Sequence, residues 1–318
     1  MRMFITGVAG FVGSTLAKRL LAEGHEVVGI DCLSDYYEIE IKRANLESLE
    51  SPGFTFIEED LNVADLDHLL EGIDVVFHQA GQPGVRKSWG SDFSIYLSAN
   101  IEATQKLLEA ARKNGGLKRF VYASSSSVYG NAERYPTLEM DRPRPMSPYG
   151  VTKLAAEHLC SLYAENFGIP TVSLRYFTVY GPRQRTDMAF TRFVRAAVRG
   201  EQITIFGTGE QIRDFTFVDD IVEANVKAAL VDSPKGSVFN VAGGSNISVN
   251  NVLALLGTIS EKPLDVKYID GVAGDVFRTG GSTDSIEEVL GWKASVPLEE
   301  GLRRQYEWAR VAFAAPVL

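Results

Sequence analysis

The chain has 318 residues, enough for about two domains and for a core that needs no disulfide or metal to hold it. Its 32 basic and 41 acidic residues leave a formal charge of −9, which argues against nucleic acid or an anionic membrane as main partner. A small anionic substrate remains open, since it answers only to local arginines. Cys32 and Cys160 are the two cysteines, too few for a disulfide framework or a zinc site, so a reduced, cytoplasmic setting and no metal are expected. The segment 1–13 has a basic residue and apolar ones, but three glycines interrupt it, so it does not read as a signal peptide. No run of about 18 apolar residues predicts a membrane span.

In chain order, the first apolar run, Met3–Thr6, reads as a buried strand. It passes into Gly7-Val8-Ala9-Gly10-Phe11-Val12-Gly13, with a helix expected over Ser14–Ala22. In such a turn Gly7 permits the sharp bend, Gly10 lets backbone approach a pyrophosphate at the helix N-terminus, and Gly13 allows close helix–strand packing. A second strand, Glu26–Ile30, ends at Asp31, 18 residues beyond Gly13. A carboxylate at that place hydrogen-bonds ribose hydroxyls and repels a 2′-phosphate, so NAD is expected rather than NADP. A glycine triplet alone is also compatible with a plain turn, and Asp31 alone with a solvated carboxylate; their order along the chain favours the dinucleotide.

Strands at Thr55–Ile57, Val75–His78, Phe120–Ser124 and Thr171–Arg175 follow, with helices over Glu102–Arg112 and Thr152–Phe167. Alternating strands and helices predict an α/β fold with a doubly wound, Rossmann-like parallel sheet, whose ligands lie at the carboxyl ends of the strands. After Pro182 the rhythm changes. Strands are expected only at Ile203–Phe206, Phe215–Val218, Val238–Val241 and Leu264–Tyr268, which suggests a smaller mixed α/β substrate-binding lobe. The expected division is 1–181 for the dinucleotide domain and 182–318 for the lobe, with the chain free to cross between them more than once.

The stretch Ser147-Pro148-Tyr149-Gly150-Val151-Thr152-Lys153 carries the clearest chemistry. Ser147 is suited to a helix N-cap and Pro148 to the first helical position. Tyr149 and Lys153 then lie one turn apart on one face. A free phenol, with a pKa of about 10, is a poor base at neutral pH, and a nearby ammonium lowers that value. Such a tyrosine can take a hydroxyl proton while a nicotinamide accepts hydride from the same carbon. The strand Phe120–Ser124 runs into Ser124-Ser125-Ser126-Ser127, which places hydroxyls at the ligand crevice. Apart from one another, the Tyr–Lys pair is compatible with an ordinary helix surface and the serines with a polar loop.

Together, Gly7–Gly13, Asp31, Ser125, Tyr149 and Lys153 resemble the extended short-chain dehydrogenase/reductases, the NAD-dependent epimerase/dehydratase group. The resemblance extends over nearly the whole chain. Asp60-Leu61 resembles the turn that holds the adenine, and His78-Gln79-Ala80-Gly81 the segment that lines the cofactor. Asn100 resembles the family's helix asparagine, and Arg175–Pro182 the segment between nicotinamide and sugar. Arg213-Asp214-Phe215 and the stretch from Gly274-Asp275 to Arg278-Thr279 resemble nucleotide-diphosphate contacts. Cys32 and Ser282 depart from the pattern, standing where relatives commonly have Asn and Asp.

The resemblance implies a bound, recycled NAD lined by Gly7, Gly10, Phe11, Val12, Gly13, Asp31, Asp60, Leu61, Gln79, Ala80, Asn100, Ser124, Tyr149, Lys153, Tyr176 and Val179. It makes Ser125 the substrate-orienting hydroxyl, Tyr149 the base, and Lys153 the group that holds the ribose and tunes the phenol. His78 is expected to be structural. The implied partners are a UDP-sugar substrate and a second copy of the chain, with helices around Asn100 and after Tyr149 pairing in a homodimer.

The residues after Ser125 separate the family's reactions. Elimination of water needs an acid and a base there. Ser126 and Ser127 supply neither, and UDP-glucuronate decarboxylases usually have Glu where Ser127 stands. A 4-epimerase needs no additional acid. The segment Tyr180-Gly181-Pro182-Arg183-Gln184-Arg185-Thr186-Asp187-Met188-Ala189 is similar to that of UDP-glucuronate 4-epimerases, as are Thr178 and Gly84-Val85-Arg86. Arg185 is the candidate reader of the C6 carboxylate, the alternatives being a diphosphate contact or a solvated loop arginine. Arg86, Ser125, Ser126, Ser127, Tyr149, Thr178, Phe206, Arg213, Asp275 and Arg278 complete the expected substrate site, with Phe206 either on the uracil or an ordinary core phenylalanine, and Arg213 and Arg278 at the diphosphate. The expected reaction converts UDP-glucuronate to UDP-galacturonate through a transient 4-keto sugar. The alternatives are a neutral UDP-hexose 4-epimerase, a UDP-glucuronate decarboxylase, and a non-catalytic sensor of NAD or sugar nucleotide.

Overall fold

Short apolar runs bounded by turns form the strands of a parallel sheet in a computed structural model that describes residues 1–271 and 276–314. Its strands are β1 (Arg2–Thr6), β2 (Glu26–Asp31), β3 (Phe54–Glu58), β4 (Val75–His78), β5 (Arg119–Ser125) and β6 (Thr171–Tyr176). Beyond them, β7 (Val179–Tyr180), β8 (Ile203–Phe206), β9 (Ile212–Arg213) and β10 (Thr216–Phe217) lie outside this sheet, and β11 (Ser237–Val241) rejoins it. The order is β11-β6-β5-β4-β1-β2-β3, and every pairing is parallel. The order reverses between β1 and β4, so a crevice opens where the carboxyl ends of these two strands diverge.

The helices are α1 (Phe11–Ala22), α2 (Ile39–Glu47), the short α3 (Leu66–Leu69) and α4 (Phe93–Tyr96), α5 (Ala103–Asn114), α6 (Pro148–Phe167), α7 (Ala189–Arg199), α8 (Val218–Leu230), α9 (Val249–Ser260), α10 (Asp284–Leu290) and α11 (Leu298–Ala312). One face of the sheet packs Met3, Ile5, Val75 and Val121 against Leu16 and Leu20 of α1 and Ile221 and Ala224 of α8. The other packs Phe4, Val76 and Phe120 against Leu107 and Leu108 of α5 and Ala156 and Cys160 of α6. Burial on both faces explains why the strands read as unbroken apolar runs. A separate core joins α7, α9, α11 and β8 around Phe190, Val194, Ile205, Leu256 and Leu302.

Two expectations change. Val238–Val241 is the middle of no lobe strand: Ser237–Val241 pairs with β6 in the central sheet, and α8 before it covers that sheet. The chain therefore returns to the first layer over 218–241. The run Phe215–Val218 is a strand only at Thr216–Phe217, and Val218 already begins α8. Asp219 and Asp220 occupy the first helical turn, where carboxylates complement the exposed N–H groups. Helix α6 begins one turn before Thr152, at Pro148. Ser147 caps it by accepting the Gly150 N–H at 3.1 Å, so Tyr149 and Lys153 both stand on the helix.

Candidate active site

A cleft of about 580 Å³ follows the carboxyl ends of β1, β2, β4, β5 and β6. At one end lies the glycine turn. Gly7 has φ +68°, and a Cβ there would lie 2.8 Å from the Ala80 backbone. A Cβ at Gly13 would run into the Gly7 carbonyl, which is why α1 can lie so close to β1. Gly10 caps α1 with no side chain, so the N–H groups of its first turn face the cleft uncapped. Asp31 closes the next strand, accepting from Ala9 N–H at 3.1 Å and Leu33 N–H at 2.9 Å. Burial raises its pKa, and the charge of Lys42 and these two N–H groups oppose that rise. Open helix N–H groups beside a cleft that no side chain fills, with a carboxylate at the far strand end, fit the pyrophosphate and ribose of NAD.

Phe11, Val12, Asp60, Leu61, Gln79, Ala80, Ser124, Tyr176 and Val179 line the same cleft. Several are held by the protein itself. The Asp60 carboxylate accepts the Asn62 N–H at 2.8 Å, the Thr6 hydroxyl accepts the Ala80 N–H at 3.0 Å, and the Tyr176 hydroxyl donates to Gln79 Oε1 at 3.1 Å. Asn100 is not on the cleft wall. Its Oδ1 accepts the Gln82 N–H at 2.7 Å, and its Nδ2 donates to the Gln82 carbonyl and the Thr152 hydroxyl. It sits where the helix between α4 and α5 widens to a π turn, and it pins the loop after β4 to α6. His78 is neutral, its pKa pushed down to about 3 by burial, and bridges Thr6 and Thr104 at 2.8 and 2.9 Å.

Past the glycine turn, the end of β5 faces α6. Ser125, Ser126, Ser127, Tyr149, Lys153, Thr178 and Arg185 all border the cleft. Ser125 is hydrogen-bonded to the Tyr149 phenol, and its oxygen also accepts the Ser127 N–H at 3.1 Å. Burial raises the Tyr149 pKa, and the Ser125 hydrogen bond and the charge of Arg185 lower it. The cation acting on the phenol is therefore Arg185; Lys153 stands by with its ammonium 4.5 Å from the centre of the Tyr122 ring. Burial lowers the Lys153 pKa to about 8, partly offset by Glu157 one turn further on. Glu157 accepts Arg175 at 2.6 and 3.0 Å and the Ser124 hydroxyl at 2.6 Å.

The remaining predicted substrate residues lie beyond this wall. Arg86 stacks on Phe206 with its guanidinium carbon 4.2 Å from the ring centre. Arg213 donates to the carbonyls of Ile212 and Phe277, and Arg278 bridges Ile212 and stacks over Tyr135 at 4.7 Å. The fold thus brings Arg213 and Arg278 together, and Arg86 and Phe206 together. Asp275 and Gly274 lie outside the described residues. Of the two departures from the family pattern, Ser282 donates to Asp284 at 2.8 Å, and Cys32 lines the cleft next to Asp31.

Four residues of the site are missing from the sequence reading. Tyr36 and Tyr37, before α2, line the cleft. Tyr36 lies between Lys87, 4.7 Å from its ring centre, and Arg185, at 5.8 Å. Glu157 was findable, since it continues the i, i+4 series of Tyr149 and Lys153. Asp187 holds Arg185 at 2.9 and 3.0 Å. Among the described residues, no group of three His, Cys, Asp or Glu side chains is placed to hold a metal, and no helix is long and apolar enough to cross a membrane.

The description "NAD dependent epimerase/dehydratase family" matches residues 3–242. The crystal structure of UDP-glucuronic acid 4-epimerase from Bacillus cereus with UDP-glucuronic acid and NAD is 42% identical in sequence. It superposes with a TM-score of 0.95, covering 98% of this chain and 100% of that one. The UDP-glucuronate 4-epimerase of Thermodesulfobacterium geofontis is 36% identical over 96% of this chain and 95% of its own length. The UDP-glucose 4-epimerase of Mycolicibacterium smegmatis is also 36% identical, over 98% and 99%.

Proposed function

We propose that this chain, which belongs to the NAD dependent epimerase/dehydratase family, interconverts UDP-glucuronate and UDP-galacturonate by 4-epimerisation. NAD, when bound along Gly7–Gly13 and Asp31, supplies the acceptor and later the donor of the hydrogen at C4. Tyr149 takes the proton of the C4 hydroxyl and, after the 4-keto sugar has turned, returns it to the same oxygen, while the hydrogen returned to C4 enters from the opposite face. Ser125 shares a hydrogen bond with that phenol and orients the same oxygen. The charge of Arg185 and the Ser125 hydrogen bond favour the phenolate, and Lys153, one turn further along α6, is assigned to the nicotinamide ribose. Ser126 and Ser127 offer hydroxyls and no second acid or base, so the site carries proton transfer at one oxygen and no elimination.

The observation that carries the choice of sugar is Arg185 on the same cleft wall as Tyr149, Ser127 and Thr178. Its fork of N–H donors suits a C6 carboxylate. A 4-keto uronate is a β-keto acid and loses carbon dioxide when its carboxylate is stripped of polar partners. Arg185, Thr178, Ser126 and Ser127 replace that solvation and keep the carboxylate in an unreactive orientation. The test is to incubate the protein with NAD and, in separate samples, UDP-glucuronate or UDP-glucose, resolving products by NMR. UDP-galacturonate without pentose is the expected result. UDP-xylose from the first sample would make the chain a decarboxylase, turnover of UDP-glucose alone a neutral-hexose epimerase, and binding without turnover a sensor.

The NAD-binding part is assigned to 1–181, joined by the returning segment 218–241, and the rest of the chain to 318 forms the sugar-nucleotide lobe. A homodimer built on α6 and the helices around Asn100 is the assembly we infer. Val151 and Leu162 support it: both are about half exposed, and 11 residues of helix place them within about 20° of one another on α6. Leu162→Glu is expected to give a monomer by sedimentation velocity; an unchanged dimer would exclude this face. The cytoplasm, where NAD and UDP-sugars are made, suits the two free thiols, Cys32 and Cys160.

A further inference from the structure

We propose that Asp187 is a positioning residue that fixes the carboxylate-reading edge of Arg185 and thereby sets acid selectivity and protects the 4-keto acid. The inference rests on the reading of Arg185 given above and adds a residue to it. Arg185 Nε donates to Asp187 Oδ1 at 2.9 Å and Nη2 to Oδ2 at 3.0 Å. This side-on pair consumes the Nε–H and one Nη2–H. A guanidinium has five N–H donors, so the end formed by Nη1 and Nη2 keeps a second fork of the spacing a carboxylate needs.

The surroundings separate the two ends. Arg185 borders the main cleft, whereas Asp187 borders a shallow outer hollow with Asp35, Tyr36, Glu38, Thr186 and Arg195. The backbone between them is already fixed. The Arg185 carbonyl accepts the Met188 N–H at 3.2 Å, and buried Gln184 binds Val179, Thr191 and Gln305. Thr186 donates to Glu38 at 2.5 Å, which ties the turn to the loop after β2. What remains free is the long Arg185 side chain, and Asp187 with the Tyr36 ring removes that freedom.

Folding stability does not explain the pair. Both side chains are partly exposed, at 19% and 31%, and such pairs contribute about 0–1 kcal/mol. Orientation is the larger effect, since a carboxylate held by one swinging donor can turn its C5–C6 bond parallel to the π orbitals of the C4 ketone. In that orientation the C5–C6 bond breaks, its electron pair passes into the ketone, and carbon dioxide leaves. C5 then takes a proton from solvent. With the C4 ketone reduced back, the net change is UDP-glucuronate plus a proton to UDP-pentose plus carbon dioxide.

The experiment uses the full-length Asp187→Asn variant, which keeps shape and removes charge, with UDP-glucuronate and UDP-glucose competing in one tube. The expected result is a fall of about tenfold in the preference for glucuronate, with UDP-pentose appearing as a measurable fraction of product. Both readouts are ratios within one sample, so a loss of folded enzyme does not move them. An unchanged preference together with no pentose overturns the inference. Arg185→Ala, run beside it, separates the two levels. If Arg185→Ala is impaired and Asp187→Asn is not, only the role of Asp187 fails; if Arg185→Ala itself keeps rate and products, the carboxylate reading beneath it fails.

Discussion

Replacing Glu157 by Gln removes the negative member of a deeply buried ion pair that stands one turn beyond Lys153 on the Tyr149–Lys153 stripe of α6. The side chains of Arg175 and Glu157 are 5% and 2% exposed, and their two contacts are 2.6 and 3.0 Å. A glutamine preserves the shape but offers one carbonyl oxygen where the carboxylate offered two. It must also turn an N–H2 toward either Arg175 or the Ser124 hydroxyl. Breaking one side of a buried pair costs about 3–5 kcal/mol, because the other charge stays buried without its partner. Set against total stabilities of about 5–15 kcal/mol, that loss is severe. At about 2–4 °C per kcal/mol it lowers Tm by about 6–20 °C. Urea titration in the absence of NAD and nucleotide is the assay, since bound ligands would mask the change by mass action. Glu157→Gln/Arg175→Met, which removes both charges, should recover most of the loss. A cost under about 1 kcal/mol for the single variant, or no recovery in the double, would refute the reasoning. Activity reports the same charge independently. Glu157 holds up the pKa of Lys153, which burial lowers to about 8. Without Glu157 the ammonium loses its proton at lower pH, so the alkaline limb of kcat moves to lower pH.

Tyr149→Phe should lower kcat by about 10²–10⁴-fold while UDP-glucuronate affinity, measured by calorimetry, changes little; wild-type turnover would move the base elsewhere. Gly13→Ala drives a Cβ into the Gly7 carbonyl and must push α1 away from β1. The purified variant should carry no NAD by absorbance and bind none by titration; full occupancy would show that the turn accommodates the methyl group. Asp214 is fully buried, and burial raises its pKa to about 6 against the N–H groups of Gly244 and Ser245. A carboxyl with a folded pKa above its unfolded value of about 3.9 lends stability that is complete below that value and lost as pH rises through about 6. Asp214→Asn lacks that loss, so between pH 4 and 7 its stability should rise relative to the parent by up to about 3 kcal/mol; parallel pH profiles would contradict this.

What was legible in the sequence was what neighbours along the chain decide. The glycine turn, the Asp31 strand end, the Ser147 cap and the Tyr149–Lys153 spacing each need only a few consecutive residues and one element type. Thr216–Val218 defeats that logic, since a buried apolar run has no period of its own and the strand gives way to α8 at Val218 because Asp219 and Asp220 favour a helix start. Ser237–Val241 was legible as a strand but not as a sheet member, because its partner residues in β6 lie 65 positions earlier, as in Ser237 against Val172. Asn100 shows a second limit. The residue stands out in sequence, yet its amide is fully engaged in binding Gln82 and Thr152, so it shapes the cleft without facing it. Asp187 is the sharpest case. It lies two residues from Arg185, a spacing with no pairing rule in a helix and one that alternates faces in a strand. Only the turn closed by the Met188 N–H brings the two side chains edge to edge, and that turn depends on Gln184 being buried against Thr191 of α7 and Gln305 of α11. Arg185, the proposed reader of the sugar acid, is thus positioned by the core around α7 and α11, whereas Tyr149, the proposed proton-transfer group, is positioned by the central sheet, and on this proposal selectivity can change by repacking α7 and α11 while Tyr149 and Lys153 stay where they are.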